Sequence, residues 1–175
     1  MMNNPIVWVF VALAAVVAVG LFFMLGASPP AGPAPETLIP EALEGFILVA
    51  KEARIEPAFP GEEYSSHAFY TPAPGGPWSG KIERVGLTIF KFKDPTKISE
   101  ARDLLLQGAQ TESIDLDGRT VELAPEPDGV GLFWRHGALF VAIFVSAVQG
   151  SETDTEALKS AALAAARAVL AKIPR

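Results

Sequence analysis

The sequence contains no cysteine. This absence excludes disulfide bonds, thiolate zinc sites, iron–sulfur clusters, cysteine nucleophiles and haem-attachment motifs together. Histidine is scarce as well, because only His67 and His136 occur. We recognise no phosphate-binding glycine loop and no dinucleotide fingerprint. The sequence therefore predicts a protein with no cofactor, no bound metal and no catalytic residue.

Basic residues are also few, with 14 Lys and Arg against 20 Asp and Glu and a net charge of −6. A protein that binds the nucleic-acid backbone needs clustered Lys and Arg, so we exclude nucleic acid as a partner. The first basic side chain is Lys51. The positive-inside rule therefore has only the N-terminal amine to act on, which favours an N-in, C-out orientation.

Charge is absent from residues 6–25, which form one continuous apolar run. A helix of this length spans about 30 Å, which is the thickness of a bilayer core. The alternative is a cleaved signal peptide, but the run is longer than the apolar region of such peptides. We expect a transmembrane anchor over residues 1–26, in which Ala14 and Ala18 form a small-residue packing face for another helix.

Proline is concentrated in residues 27–40, which we expect to form an extended linker. Residues 41–175 then carry the pattern of one domain, which we place outside the cytoplasm. The predicted fold class is α+β. We expect a mainly antiparallel sheet of about five to six strands packed by two helices and preceded by the transmembrane helix.

Two segments of this domain carry the clearest strand signals. The alternation of Val85, Leu87 and Ile89 with polar or small residues predicts a half-buried strand. Residues 139–148 are almost wholly apolar, which predicts a central strand covered on both faces. Asp117 followed by a glycine predicts a tight hairpin turn.

Residues 57–80 are predicted to form a long, mostly irregular connection. Loops beyond about 12–15 residues are uncommon in compact domains and are often functional. The segment is rich in aromatic residues, which disordered segments lack. We predict a loop that contacts a partner, and the alternative is an added edge strand within "SHAFYT" that covers the core. The predicted contact residues are Tyr64, His67, Phe69, Tyr70 and Trp78.

The same segment contains residues that could carry out catalysis or bind a metal. His67 lies beside two serines, but no nucleophile elbow surrounds them. Glu62, Glu63 and His67 could supply metal ligands, yet their spacing fits no standard metal loop. Residues 125–128, which are two prolines alternating with two acidic residues, are interpreted as a solvated connection.

These observations favour a protein that acts by contact. We expect a non-catalytic, single-pass accessory subunit of a larger membrane complex, for example a respiratory or photosynthetic one. Its partners would be the membrane and other membrane-protein subunits. The alternative is a membrane-anchored, extracytoplasmic ligand-binding or sensor domain. An enzyme that uses His67 and scattered carboxylates ranks last.

Overall fold

The structure is a computed structural model, and it describes residues 33–150 and 154–173. The helices are α1 (Pro35–Leu38), α2 (Ile98–Leu106) and α3 (Thr155–Leu170), with a 3-10 turn at Pro95–Lys97 just before α2. The strands are β1 (Phe46–Arg54), β2 (Glu62–Pro72), β3 (Ile82–Phe92), β4 (Glu112–Leu116), β5 (Arg119–Glu126), β6 (Gly129–His136) and β7 (Leu139–Ala147).

The strands form one seven-stranded sheet in the order β1-β2-β3-β7-β6-β5-β4. Every neighbouring pair is antiparallel. The sheet therefore consists of two meanders, β1 to β3 and β4 to β7, in which strands adjacent in sequence pair with each other. The meanders are joined along β3 and β7, and α2 lies in the connection between them.

Local sequence signals account for several of these elements. Val85, Leu87 and Ile89 are buried on β3, which confirms the predicted half-buried strand. Asp117 and Gly118 have positive φ angles of 55° and 79°, and they form the turn between β4 and β5. Two positive φ angles define the type I′ turn that the sequence predicts at this position.

The two faces of the sheet are covered by different helices. On the α3 face, the alanines of α3 lie among the large apolar residues of β3, β6 and β7 and allow the helix to approach closely. Leu38 and Ile39, in and after α1, join the same core. On the α2 face, a smaller and aromatic cluster lies under α2.

The predicted fold class is wrong in its strand count and its helices. The sheet has seven strands rather than about five to six, and three α-helices occur among the described residues, one of them C-terminal. The extra strand is β2, which lies between β1 and β3 and not at an edge. Ser65 and Ser66 are fully buried on β2. Their polarity hides the strand pattern, because apolar alternation is the main strand signal in a sequence.

The predicted membrane helix is also corrected. No helix within residues 33–150 and 154–173 is long and apolar enough to cross a bilayer. This finding overturns the description of a single-pass membrane protein for the part of the chain that the structure describes. The predicted span, residues 6–25, and its packing residues Ala14 and Ala18 lie outside the described residues.

The compact unit extends over Pro33–Arg175, so it begins within the predicted linker of residues 27–40. Leu38 is 2% exposed and Ile39 is fully buried. The Tyr70 hydroxyl donates a hydrogen bond of 2.6 Å to the carbonyl oxygen of Pro40. The last part of the predicted linker is therefore held in the core of the domain.

Candidate functional site: an aromatic groove on the α2 face

The α2 face of the sheet is divided into a covered half and an open half. In the covered half, three apolar side chains of α2 pack on the sheet. Beneath them, Phe90 stacks on Phe140 with ring centroids 6.0 Å apart, and Phe140 stacks on Phe133 at 6.3 Å. Phe133 is 1% exposed. This half is an ordinary hydrophobic core.

The open half is centred on one row of residues that runs across the strands. Phe69 on β2, Gly86 on β3, Phe144 on β7 and Gly131 on β6 lie side by side in register. Phe69 is 39% exposed and Phe144 is 37% exposed, although both lie within strands. The row alternates aromatic rings with glycines, so a hollow lies between the two exposed rings.

The hollow belongs to a groove of about 680 Å³. We call it the aromatic groove and define it by Phe69, Arg84, Gly86, Phe144, Ser146 and residues 126–129, which all line it. Strands β2, β3, β6 and β7 thus provide the floor and walls, and the turn between β5 and β6 closes one end.

The glycines of the central row have different surroundings. A Cβ atom on Gly131 would lie 2.7 Å from the Phe133 ring, so the chain itself occupies that space. A Cβ atom on Gly86 would lie 3.7 Å from the Phe69 ring and 3.9 Å from the carbonyl oxygen of Phe144, which are ordinary contact distances. The hollow above Gly86 is therefore not filled by the described residues.

A second row, parallel to the first, forms a polar side of the groove. Arg84, Ser146, Gly129 and Glu126 lie in register on β3, β7, β6 and β5, and Asp128 follows in the turn. The charged members are exposed and make no ion pair within the described part of the chain. The Ser146 Oγ is buried and has no hydrogen-bond partner among the described residues. The groove is thus basic at one end and acidic at the other.

Four of the five predicted contact residues lie on β2 and not in a loop. Because successive side chains of a strand point to opposite faces, His67 and Phe69 lie on the α2 face, and Tyr64 and Tyr70 lie on the α3 face. Only Phe69 lines the aromatic groove. The structure therefore does not bring the five predicted residues together.

Tyr70 and Trp78 make contacts that stabilise the fold. Tyr70 is fully buried and donates its hydrogen bond within the core. Trp78 stacks on Phe46 with ring centroids 6.0 Å apart, and its Nε1 donates to the carbonyl oxygen of Glu44 at 3.3 Å. Tyr64 is half-buried beside Lys91, and burial, followed by the charge of nearby carboxylates, raises the pKa of its hydroxyl to about 12.

His67 lies at the border between the two halves of the α2 face. Its Nδ1 is 3.0 Å from the Thr88 Oγ1, its Nε2 is 3.2 Å from the Ser65 Oγ, and its ring contacts Phe90 edge-on at 6.3 Å. Desolvation lowers the pKa of His67 from 6.5. No carboxylate is hydrogen-bonded to either ring nitrogen among the described residues, and Ser65 is fully buried. This arrangement differs from a catalytic triad, which needs an accessible serine and a carboxylate beside the histidine.

Two acidic side chains, Glu62 and Asp115, accept hydrogen bonds that stabilise turns of the chain. The Glu62 Oε2 accepts hydrogen bonds from the backbone nitrogens of Ala58 at 2.7 Å and Phe59 at 3.1 Å. The Asp115 Oδ1 accepts from Gly118 at 3.2 Å in the β4–β5 turn. Within the described ranges, no group of three or more His, Asp or Glu side chains is placed to hold a metal ion.

One crystal structure of similar fold is a GTP binding regulator from Thermotoga maritima, with a TM-score of 0.52 and 12% sequence identity. The match covers 84% of this chain and 94% of that chain. At this identity the likeness concerns the fold alone. No protein-family model and no curated protein matches the sequence.

A partial match to a phosphate-binding loop, which the sequence analysis missed, lies in residues 75–81. The segment reads G-G-P-W-S-G-K and so follows the spacing G-x-x-x-x-G-K, but Ile82 stands where that loop has Ser or Thr. The strand β3 follows the segment in place of a helix. The backbone nitrogens of Gly76, Ser79 and Lys81 donate to carbonyl oxygens within the turn. These amides are therefore not free to bind a phosphate.

Sequence reasoning also missed most of the groove. Phe144 is hidden in an apolar strand that predicts burial on both faces, and Arg84 and Ser146 look like ordinary surface positions. One available signal is Gly86, because a glycine inside a strand often marks a close approach by a ligand or another backbone. The acidic residues 126 and 128 were identified, but as a solvated connection.

Proposed function

We propose that this domain is a non-catalytic accessory subunit that docks on a partner protein through the aromatic groove. The observation that carries the proposal is the exposure of Phe69 and Phe144 on either side of the unfilled hollow at Gly86. Both rings lie on rigid strands, so they present a preformed surface. Aromatic side chains in such positions are typical anchors of protein interfaces.

The shape of the groove favours a protein over a small ligand. Small-molecule sites bury about 70–90% of the ligand surface. The aromatic groove is open along the face of the sheet, and its apolar surface continues beyond β2. Ile47 on β1, which pairs with Thr71 of β2, is 51% exposed on the same face. A partner surface can cover this whole strip at once.

The proposal is tested by purifying the tagged full-length protein from its native cells under mild conditions. We expect a partner at fixed stoichiometry with the wild type and its loss with Phe69→Ala combined with Phe144→Ala. The matched control is Leu104→Ala on α2, which removes an apolar side chain that is 54% exposed outside the groove. A partner that stays bound to the double variant, or a wild type that purifies alone, contradicts the proposal.

A second candidate function is the binding of a small ligand, which was the alternative in the sequence analysis. The volume of about 680 Å³ favours it, because small-molecule pockets range over about 300–1,000 Å³. Under this candidate, the purified protein gains thermal stability with a small molecule and needs no protein partner.

The structural neighbour is named a GTP binding regulator. Its GTP binding is not part of our proposal, because Ile82 and β3 take the place of the hydroxyl residue and the helix after the partial loop motif. The location of this domain outside the cytoplasm stays a prediction, since it depends on residues 6–25, which lie outside the described ranges.

A further inference from the structure

We propose that the aromatic groove binds an extended peptide segment of the partner that crosses the strands and carries a large apolar side chain between an acidic and a basic residue. The apolar side chain occupies the hollow above Gly86. The acidic residue lies at Arg84, and the basic residue lies at Glu126 and Asp128. This inference rests on the proposed docking function and specifies the chemistry of the docked segment.

The apolar position follows from the central row of the groove. Phe69 and Phe144 flank Gly86 in register, and both rings are more than one third exposed. A side chain that enters between them contacts an aromatic surface on two sides and backbone beneath. Burial of a large apolar side chain in such a place is favourable. Leucine, methionine and the aromatic residues meet this requirement.

The charged residues of the peptide are inferred from the second row of the groove. Arg84 and Glu126 lie at its opposite ends, with the small residues Ser146 and Gly129 between them. Three strand spacings separate the two ends, which is about 14 Å. An extended peptide covers that distance in about four residues. An acidic and a basic residue about four positions apart, with the apolar residue between them, therefore match both ends of the groove.

The middle of the second row carries no charge and no large side chain. Ser146 and Gly129 lie there, between the two charged ends. The peptide backbone can therefore cross from Arg84 to Glu126 without meeting a bulky side chain.

The groove itself argues against an acidic or a basic polymer as the occupant. Its exposed charges have opposite signs at its two ends, so a uniformly charged ligand is repelled at one of them. The net charge of −6 also disfavours nucleic acid. A mixed-charge peptide is attracted at both ends, and since the charges are exposed, the attraction weakens as salt is added.

The test selects peptides from a phage library of random 12-residue sequences on purified full-length protein. We expect the selected peptides to share one large apolar residue with an acidic residue on one side and a basic residue on the other. Synthetic versions should bind Phe144→Ala about tenfold more weakly, which corresponds to about 1.4 kcal/mol. The control Leu104→Ala should leave their affinity unchanged, and thermal unfolding shows whether each variant is folded.

Charge reversal provides the decisive measurement. Arg84→Glu should shift selection towards peptides with two basic residues, and Glu126→Lys with Asp128→Lys should shift it towards two acidic residues. Peptides that depend on Phe144 but show no such shifts overturn this inference and leave the docking function in place. If no selected peptide depends on Phe69 or Phe144, the inference fails, and the docking function is judged by the partner purification alone. Full displacement of a selected peptide by free phenylalanine indicates a small zwitterionic ligand and overturns the peptide proposal.

Discussion

The covered and open halves of the α2 face differ in exposure although one sheet builds both of them. The phenylalanines of β3, β6 and β7 in the covered half and those of β2 and β7 in the open half lie on one side of the sheet. In the covered half, Phe133 and Phe140 are buried under α2. In the open half, Phe144 remains 37% exposed. The strand sequences therefore do not distinguish a buried core from an open surface at this face.

The length of α2 explains the division. The helix has 9 residues, which correspond to about 13 Å, whereas β3 has 11 residues and spans about 36 Å. A helix of that length covers less than half of the strand. The remaining part of the face is open, and the alternation of glycines with aromatic rings gives that part its shape.

We expect the largest difference in stability when one phenylalanine of each half is replaced by alanine. Phe133→Ala removes a ring that is 1% exposed, so we expect it to lower the free energy of unfolding by about 3–5 kcal/mol. Phe144→Ala should cost only about 1–2 kcal/mol, because its ring is partly solvated and mainly loses the edge contact with Phe133 at 5.3 Å. Urea unfolding of both variants measures the difference. Equal losses would show that the open half is as much a core as the covered half.

A second comparison uses two glycines of the groove. A Cβ atom on Gly129 would lie 2.5 Å from the carbonyl oxygen of Val145, which is backbone and cannot move aside. We expect Gly129→Ala to destabilise the protein by about 1–3 kcal/mol. Gly86→Ala meets only ordinary contacts, so it should be neutral or stabilising by up to about 1 kcal/mol.

The measurement for the glycine variants is the urea midpoint together with partner or peptide binding. Gly86→Ala places a methyl group in the hollow, so it should weaken binding while the fold is kept. If Gly86→Ala destabilises the domain as much as Gly129→Ala does, the hollow is smaller than the structure indicates.

A third comparison concerns two adjacent residues of β2 that point to opposite faces. Tyr70→Phe removes the hydrogen bond to the Pro40 carbonyl inside the core, and we expect a loss of about 1–2 kcal/mol in stability with unchanged binding. Phe69→Ala should do the reverse, with a smaller loss of stability and a loss of binding. Thermal unfolding and a binding assay on the same samples separate the two effects. A binding defect in folded Tyr70→Phe would show that the α3 face also takes part in docking.

The smallest expected effect is a pH dependence of the folding stability, which arises from His67 at the border between the two halves. Desolvation lowers the pKa of His67 in the folded protein below its unfolded value of 6.5. The unfolded chain then binds more protons as the pH falls below about 6.5, so the stability of the folded state decreases with acidification. His67→Gln should reduce this slope between about pH 7 and pH 5, measured by urea unfolding.

His136 provides the matched control for this pH dependence. Desolvation, followed by the charge of Arg119, also lowers the pKa of His136, which lies far along the chain on β6. His136→Gln should remove a separate part of the slope, and the two changes should add. A slope that is unchanged in His67→Gln would mean that the histidine is as accessible in the folded state as in the unfolded chain.

The sequence predicts those elements of the fold that are determined by residues close to each other in the sequence. The strand around Leu87 and the turn at Asp117 follow from local alternation and local turn chemistry. The strand β2 does not, because its buried polar residues Ser65 and Ser66 mask the alternation and only the surrounding strands reveal it. The predicted contact segment was placed in a loop for the same reason.

The groove was less predictable than the fold. Its residues come from five strands and a turn, and they meet only through the register of β2, β3, β7, β6 and β5. Phe69 was identified because aromatic residues cluster around it in sequence. Phe144 was not, because an apolar strand looks the same whether a helix covers one of its faces completely or in part.

The pairing of β3 with β7 has a consequence for how this site comes into existence. Each meander pairs strands that are close in sequence and can form early at a small loop-closure cost. Gly86 and Phe144 face each other across the one strand pair that joins the meanders, so they meet only at the most non-local step of folding. A half-folded chain therefore has no groove, and any partner that we propose for it can be bound only by the completed domain.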